Sequence, residues 1–225
     1  QTYQDIEIIV CDDASSYDVS GLIGSFDDPR IRLVRAAENG GIVANRNRAL
    51  ESATGQLFAF LDDDDVMLPR AVEALVASFE RHGQAGVHYG AVYVLRTGGL
   101  SVKPARGMAE SEAYGEYIFR KDGFIHLSSC LFSTSVGREV GFCPELKRHE
   151  DHFFLSQMTA RADGAWFIAT PLAVLDLRAT SGRYRRSGRF EETLAAAAII
   201  GPNLSPKALK AFLARLAAPK LAVAG

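Results

Sequence analysis

The chain has 225 residues, enough for one large core, or for one domain with a small appendage. Its 48% hydrophobic and 23% charged content is that of a globular protein, and a net charge of −2 argues against a nucleic-acid-binding surface spread over the whole molecule. No apolar run reaches the length of a membrane span, and no signal peptide opens the chain. The three cysteines, Cys11, Cys130 and Cys143, are odd in number, widely spaced and set in apolar stretches. They read as small core residues in a reducing compartment, not as a disulfide framework or a zinc site.

Residues 6–11 are a β-branched run that ends in the polar turn Asp12-Asp13-Ala14-Ser15-Ser16. Val19, Leu22, Ile23 and Phe26 then give residues 17–26 a helical pattern. A second strand is predicted over 31–34, a turn at Glu38-Asn39-Gly40-Gly41, and a helix over 42–53 closed by Gly55. The apolar run 57–61 reads as a strand buried on both faces, and it is followed directly by four carboxylates, Asp62 to Asp65. Pro69 marks the first turn of a helix running to about residue 81, and 87–95 reads as another strand. This alternation predicts a mostly parallel, doubly wound α/β sheet flanked by helices.

The second half is less regular. Residues 95–107, with Gly98-Gly99, read as a hairpin or loop, 110–121 as a helix, 128–132 as a strand and 135–140 as a short helix stopped by Gly141. A helix over 149–162, late strands over 166–169 and 172–177, and an amphipathic helix over 205–218 complete the prediction. The organisation expected is one domain over 1–180, with a basic loop and a C-terminal helical appendage over 181–225. The chain starts at Gln1 and enters a strand almost at once, which predicts that its natural N-terminus lies upstream.

The acidic run carries the chemistry. It sits at the C-terminal edge of a strand, where open α/β sheets bind their ligands. Two unit charges ~4 Å apart repel by roughly 1 kcal/mol in water, and by about 4 at an effective dielectric of 20. Unless solvent screens it, such a cluster calls for a cation. All-oxygen ligation suits Mg²⁺ or Mn²⁺, which usually share their shell with substrate phosphates. Asp65 reads as a cap on the following helix.

Four segments taken together, "QTYQDIEIIVCDDAS", "ENGGIVANRNRALESATGQLFAFLDDDDVMLP", "SSCLFSTSVGREVGFCPEL" and "HEDHFFLSQM", resemble a family 2 glycosyltransferase of the GT-A fold. The resemblance covers roughly residues 1–177 in the family's order. It implies that a strand and helix preceding "QTY", a βα unit of about thirty residues, are missing here. It also implies an inverting, metal-dependent transfer of a sugar from a nucleotide-diphosphate sugar, a UDP-sugar, to an acceptor hydroxyl. Asp62-x-Asp64 would be the motif that binds Mn²⁺ or Mg²⁺, with Asp64 the direct ligand, Asp62 a helper and Asp63 near the ribose. Asp13 would accept a hydrogen bond from the nucleobase, the alternative being an Asx-type turn. Arg46 would face the nucleotide and its phosphates, the alternative being a solvated or salt-bridged side chain, and Arg48 is expected to be exposed.

Glu150-Asp151 resembles the family's acidic dipeptide, with Asp151 as catalytic base and Glu150 structural or acceptor-orienting. Direct displacement at the anomeric carbon needs one such carboxylate, to take the proton of the attacking hydroxyl, and no second carboxylate nucleophile. A simple helix-start pair favoured by the helix dipole is the alternative. His149 and His152 share a helix face, and His152 suits the wall of an acceptor pocket. Arg183, Arg185, Arg186 and Arg189 form a basic loop; the resemblance implies a segment that closes over the diphosphate, with one of these arginines on phosphate, and the alternative, which suits most of them, is a solvated loop.

The partners expected are the nucleotide-sugar donor and a carbohydrate or lipid-linked acceptor, with no nucleic acid. The terminal helix suits packing on the domain, a partner contact or shallow membrane association, so the expected location is cytoplasmic or peripheral to the cytoplasmic face of the membrane. Two other classes stay open on sequence alone: a nucleotidylyltransferase that makes the sugar-nucleotide, and a catalytically silent nucleotide-sugar-binding module. Donor sugar, acceptor and oligomeric state have no readable code.

Overall fold

The computed structural model describes residues 1–83, 86–161, 164–178 and 190–216. The first elements follow the predicted alternation: β1 (Ile8–Asp12), α1 (Val19–Gly24), β2 (Ile31–Arg35) and α2 (Gly41–Ser52). β1 and β2 pair in parallel, Ile8 opposite Ile31 through Asp12 opposite Arg35. The remaining strands are β3 (Leu57–Phe58), β4 (Asp65–Met67), β5 (Val87–Arg96), β6 (Gly99–Lys103), β7 (Cys130–Ser133) and β8 (Ala165–Asp176). They form a second sheet of order β3-β7-β5-β8-β4, in which β6 pairs with β5. β7 takes the first part of one β5 edge, at His88 and Tyr89, and β6 takes the rest, from Val92 to Arg96. The helices α3 (Ala71–His82), α4 (Thr134–Val140), α5 (Glu150–Arg161), α6 (Phe190–Ile200) and α7 (Pro206–Leu216) complete the chain.

Strand direction in the second sheet departs from a mostly parallel arrangement. Only β5 and β8 run parallel there, and the other ladders are antiparallel. The β5–β6 connection is a tight hairpin, which can join only antiparallel strands. The two late strands are one, because Pro171 does not end the ladder. It sits where the β5–β8 register shifts, near Gly90 and Ala91, and a bulge tolerates a residue without an N–H. Gly90 is required at that point, since a Cβ there would lie 2.3 Å from the Leu172 side chain.

The predicted strand over 57–61 is paired only at Leu57 and Phe58, and the helix over 110–121 is reduced to one wide turn, Glu116–Arg120, followed by a chain reversal at Asp122 with φ of 54°. Two elements are new: the three-residue β4 and the alanine-rich α6. The basic loop at Arg183, Arg185, Arg186 and Arg189 lies outside the described residues.

An aromatic cluster holds the layers together. Phe142 and Phe154 stack at 4.3 Å, and Phe58, Phe60 and Phe132 close around them. The last two helices bury Ala196, Ile200 and Phe212 against the same apolar cluster, with Phe212 meeting Phe119 edge-on at 5.0 Å. All three cysteines are free. Among the described residues, no helix is long and apolar enough to cross a membrane.

Glu7 ties β1 to its surroundings. Its Oε1 accepts from the N–H and hydroxyl of Thr54 and from the N–H of Gly55, and its Oε2 accepts from Arg32. Burial alone would raise its pKa, but these donors hold it at about 2, below the ordinary 4.5. A carboxylate depressed in the folded state stabilises the fold above its unfolded pKa, and loses that contribution as pH falls through the folded value. Glu7→Gln is therefore expected to lower stability at neutral pH. Urea denaturation should show the gap to wild type closing between pH 4.5 and about 2.

Candidate functional site

α2 buries one stripe, Val43, Arg46 and Leu50, at positions one and two turns apart. An arginine in such a stripe must find partners, because a buried unpaired charge is strongly disfavoured. Arg46 finds two. Its Nη2 donates to Asp62 Oδ1 at 2.8 Å and its Nη1 to Glu150 Oε1 at 3.0 Å, and its side chain is only 9% exposed. The guanidinium also lies near the rings of Phe60 and Phe142, at 5.9 and 5.5 Å from their centroids. Arg46 is thus salt-bridged, tying the acidic run to the start of α5. Arg48, expected to be exposed, is half-buried against Asn45 and lies 3.6 Å from Asp13.

Within the acidic run the four carboxylates have different surroundings. Asp65 does not cap the next helix. The chain continues through β4, where Asp65 stands opposite Leu175 of β8, and α3 begins only at Ala71, capped by Arg70 without a side-chain bond. The Asp65 side chain is turned fully inward, and its Oδ2 accepts from His126 Nε2 and from Ser128 Oγ, both at 2.5 Å. The Ser128 hydroxyl in turn accepts from the Asp62 N–H at 3.1 Å. Burial would lower the His126 pKa, but Asp65 and, behind it, Asp62 and Asp151 raise it above the ordinary histidine value. Asp63 and Asp64 are exposed. Partial burial and the charges of Asp65, Asp63 and Asp62 raise the Asp64 carboxyl.

These residues fit a divalent cation. The repulsion felt by Asp64 is what a cation would relieve, and the carboxylates of the run offer hard oxygens beside one imidazole nitrogen. One ligating atom each from Asp62, Asp65 and His126 lie within 4.8 Å of one another. Asp64 stands outside that group, on the solvent side. Among the described residues, Oδ1 of Asp65 is buried without a hydrogen-bond partner, a further ligating atom left uncommitted.

Asp151 follows Glu150 in the first turn of α5. One oxygen accepts from the N–H of His152 at 2.8 Å. Burial pushes this carboxyl up, but His152, Arg46 and His149 outweigh it and hold Asp151 below the ordinary carboxylate range. Glu150 is shifted the other way, raised by burial and by Asp151 against the pull of Arg46. Tyr114 supports the pair by meeting His152 Nδ1 at 2.8 Å. His149 and His152 stack on one another at 6.0 Å, and His149 Nε2 lies 3.3 Å from the Thr193 hydroxyl.

Asp13, expected at the nucleobase, caps α2. Its two oxygens accept from the N–H groups of Gly40 at 3.0 Å and Gly41 at 2.7 Å. Sequence reasoning passed over His126, Ser128 and Tyr114. His126 and Tyr114 lie in none of the quoted segments, Ser128 only opens one of them, and each is brought in from 38 or more residues away.

Residues 1–140 match the family model described as glycosyl transferase family 2. The chain is 29% identical over 186 residues to the amylovoran biosynthesis glycosyltransferase AmsB of Erwinia amylovora, an alignment covering 77% of this chain and 60% of that protein. It is 36% identical over 163 residues to the GalNAc(5)-diNAcBac-PP-undecaprenol beta-1,3-glucosyltransferase of Campylobacter jejuni, covering 71% of this chain and 50% of that one. The chain thus spans about half of these relatives. Among solved structures, S. aureus TarS 1-349 in complex with UDP-GlcNAc superposes with a TM-score of 0.65 at 18% identity, over 93% of this chain and 62% of that chain. An acidic run after a core strand, a Glu-Asp helix start within reach of it, and a family match over more than half the sequence agree: the chain belongs to glycosyltransferase family 2 and has the GT-A fold.

Proposed function

We propose that this chain transfers a sugar from a UDP-sugar to a hydroxyl of a glycoconjugate acceptor, with inversion at the anomeric carbon. The observation that carries the reading is the Arg46 bridge, which brings the acidic run and the Glu150-Asp151 pair together although 88 residues separate Asp62 from Glu150 (150 − 62). Asp151 takes the hydroxyl proton as that oxygen attacks the anomeric carbon, and the bond from this carbon to the phosphate oxygen breaks. Its depressed pKa keeps it ionised and ready at neutral pH. Asp62 and Asp64 would hold Mn²⁺ or Mg²⁺, which there supplies charge neutralisation for the departing diphosphate. Arg46 holds Asp62 in place and Asp65 anchors the run through His126 and Ser128. Asp13 fixes the start of α2 on the side assigned to the nucleotide, and Asp63 remains open toward the ribose. The printed name of the Campylobacter relative, with its PP-undecaprenol acceptor, supports a lipid-linked glycan as acceptor.

Calorimetric titration of UDP with and without Mn²⁺, followed by a donor-hydrolysis assay, tests this reading. UDP is expected to bind more tightly with Mn²⁺, and the sugar donor to be hydrolysed slowly. No UDP binding under either condition would sink the proposal, and binding without any turnover in a full-length protein would mark a silent module.

A further inference from the structure

A small open cleft lies beside the acidic run, at the C-terminal ends of β5 and β8, with a volume of about 160 Å³. Its floor is apolar, formed by Val94, Phe124, Leu175 and Leu177. Its rim is cationic, with Arg96, Lys103 and Arg215 around Asp122. Lys103 Nζ lies 3.0 Å from Asp122 Oδ2, and Arg215 Nη2 lies 3.0 Å from Asp122 Oδ1. Among the described residues that line it, three cations thus face one carboxylate, an excess of two positive charges (3 − 1 = 2). Arg96 closes β5, and among the described residues its guanidinium has no hydrogen-bond or ion-pair partner.

Two contacts join this cleft to the acidic run. Leu175, on its floor, is the cross-strand partner of Asp65. Phe124, also on the floor, stacks on His126 at 5.9 Å, and His126 bonds to Asp65. The nucleotide side, at Asp13 and the start of α2, belongs to the other sheet. A group held here therefore approaches the reacting centre from a different wall than the nucleotide does.

We infer that this cleft binds the phosphate-bearing part of the acceptor: an alkyl diphosphate, its anionic oxygens on Arg96, Lys103 and Arg215 and its first carbons on the apolar floor. The inference rests on the glycosyl-transfer reading and adds a subsite to it. Guanidinium and ammonium groups recognise phosphate oxygens through charge-assisted hydrogen bonds, and a floor without polar groups rewards an attached hydrocarbon chain.

The test titrates UDP-saturated protein with farnesyl diphosphate and, separately, with inorganic pyrophosphate. Wild type is compared with the double variant Arg96→Glu/Lys103→Glu and with Arg96→Gln, a milder change at an exposed side chain. Farnesyl diphosphate is expected to bind wild type more tightly than pyrophosphate does. The double variant should weaken it by about tenfold or more, the loss of one or more charged hydrogen bonds, with UDP affinity unchanged. Arg96→Gln should weaken it less, and it preserves the test if the double variant does not fold. Absence of farnesyl diphosphate binding, equal affinity for the two probes (a free-phosphate site), or unchanged affinity in the variants would overturn the inference. Competition between UDP and the probe would also overturn it, by giving the cleft to the donor. Failure of UDP to bind wild type would instead overturn the reading beneath it.

Discussion

Asp151→Asn is expected to lower turnover by about 10²–10⁴-fold, the usual contribution of a positioned general base, while leaving the UDP dissociation constant unchanged. The amide is nearly isosteric with the carboxylate and can still accept from the His152 N–H, so the first turn of α5 keeps its local bond. What it loses is the capacity to take a proton. In wild type the acid limb of the kcat/KM profile should fall below the ordinary carboxylate range, because His152, Arg46 and His149 outweigh burial at this carboxyl. Steady-state kinetics and calorimetric UDP titration on the same preparation separate the two roles. A joint loss of turnover and UDP binding would assign Asp151 to structure, not to proton transfer.

Arg46→Met should be the most destabilising single change at the site. The apolar stem is preserved and can still pack between Phe60 and Phe142, but Asp62 and Glu150 lose the cation they share. Removing one partner from a buried ion pair costs about 3–5 kcal/mol. For a chain of this size that corresponds to a Tm decrease of roughly 6–20 °C. The larger share should come from Glu150, whose side chain is 10% exposed, because Asp62, at 31%, is partly screened by solvent. Arg46→Lys should recover only part of the loss, since one ammonium does not reproduce a fork aimed at two carboxylates. Differential scanning calorimetry decides the matter. A decrease below about 2 °C, less than 1 kcal/mol at this chain length, would mean that the bridge is not closed in solution.

The first half of the chain was legible because its strands are short β-branched or apolar runs separated by turn residues, and each local signal agrees with the next. Where reading failed, a tertiary contact overrode local pattern. Pro171 looked like a strand end, yet the β5–β8 bulge absorbs it. Asp65 to Met67 opens on a carboxylate and holds three residues, so nothing local announces β4. α6 lacks a polar face of regular spacing, and its signals were only Glu191 and Glu192 in the first turn and Pro202 after the end. Of the site, the acidic run and the Glu-Asp pair could be seen in sequence because each is contiguous. The Arg46–Glu150 bond could not, because it spans 104 positions and no periodicity links a helix stripe to a remote carboxylate. The slot formed by His126 and Ser128 was hidden for the same reason.

Arg46 rests on the rings of Phe60 and Phe142, and those rings belong to the cluster that joins β3, β7 and α5. The guanidinium and the two carboxylates it ties are thus mounted on the buried aromatic core. Substitution is consequently better tolerated at the periphery than at this cluster. β6, whose side chains are exposed along most of its length, can exchange residues without disturbing that aromatic foundation.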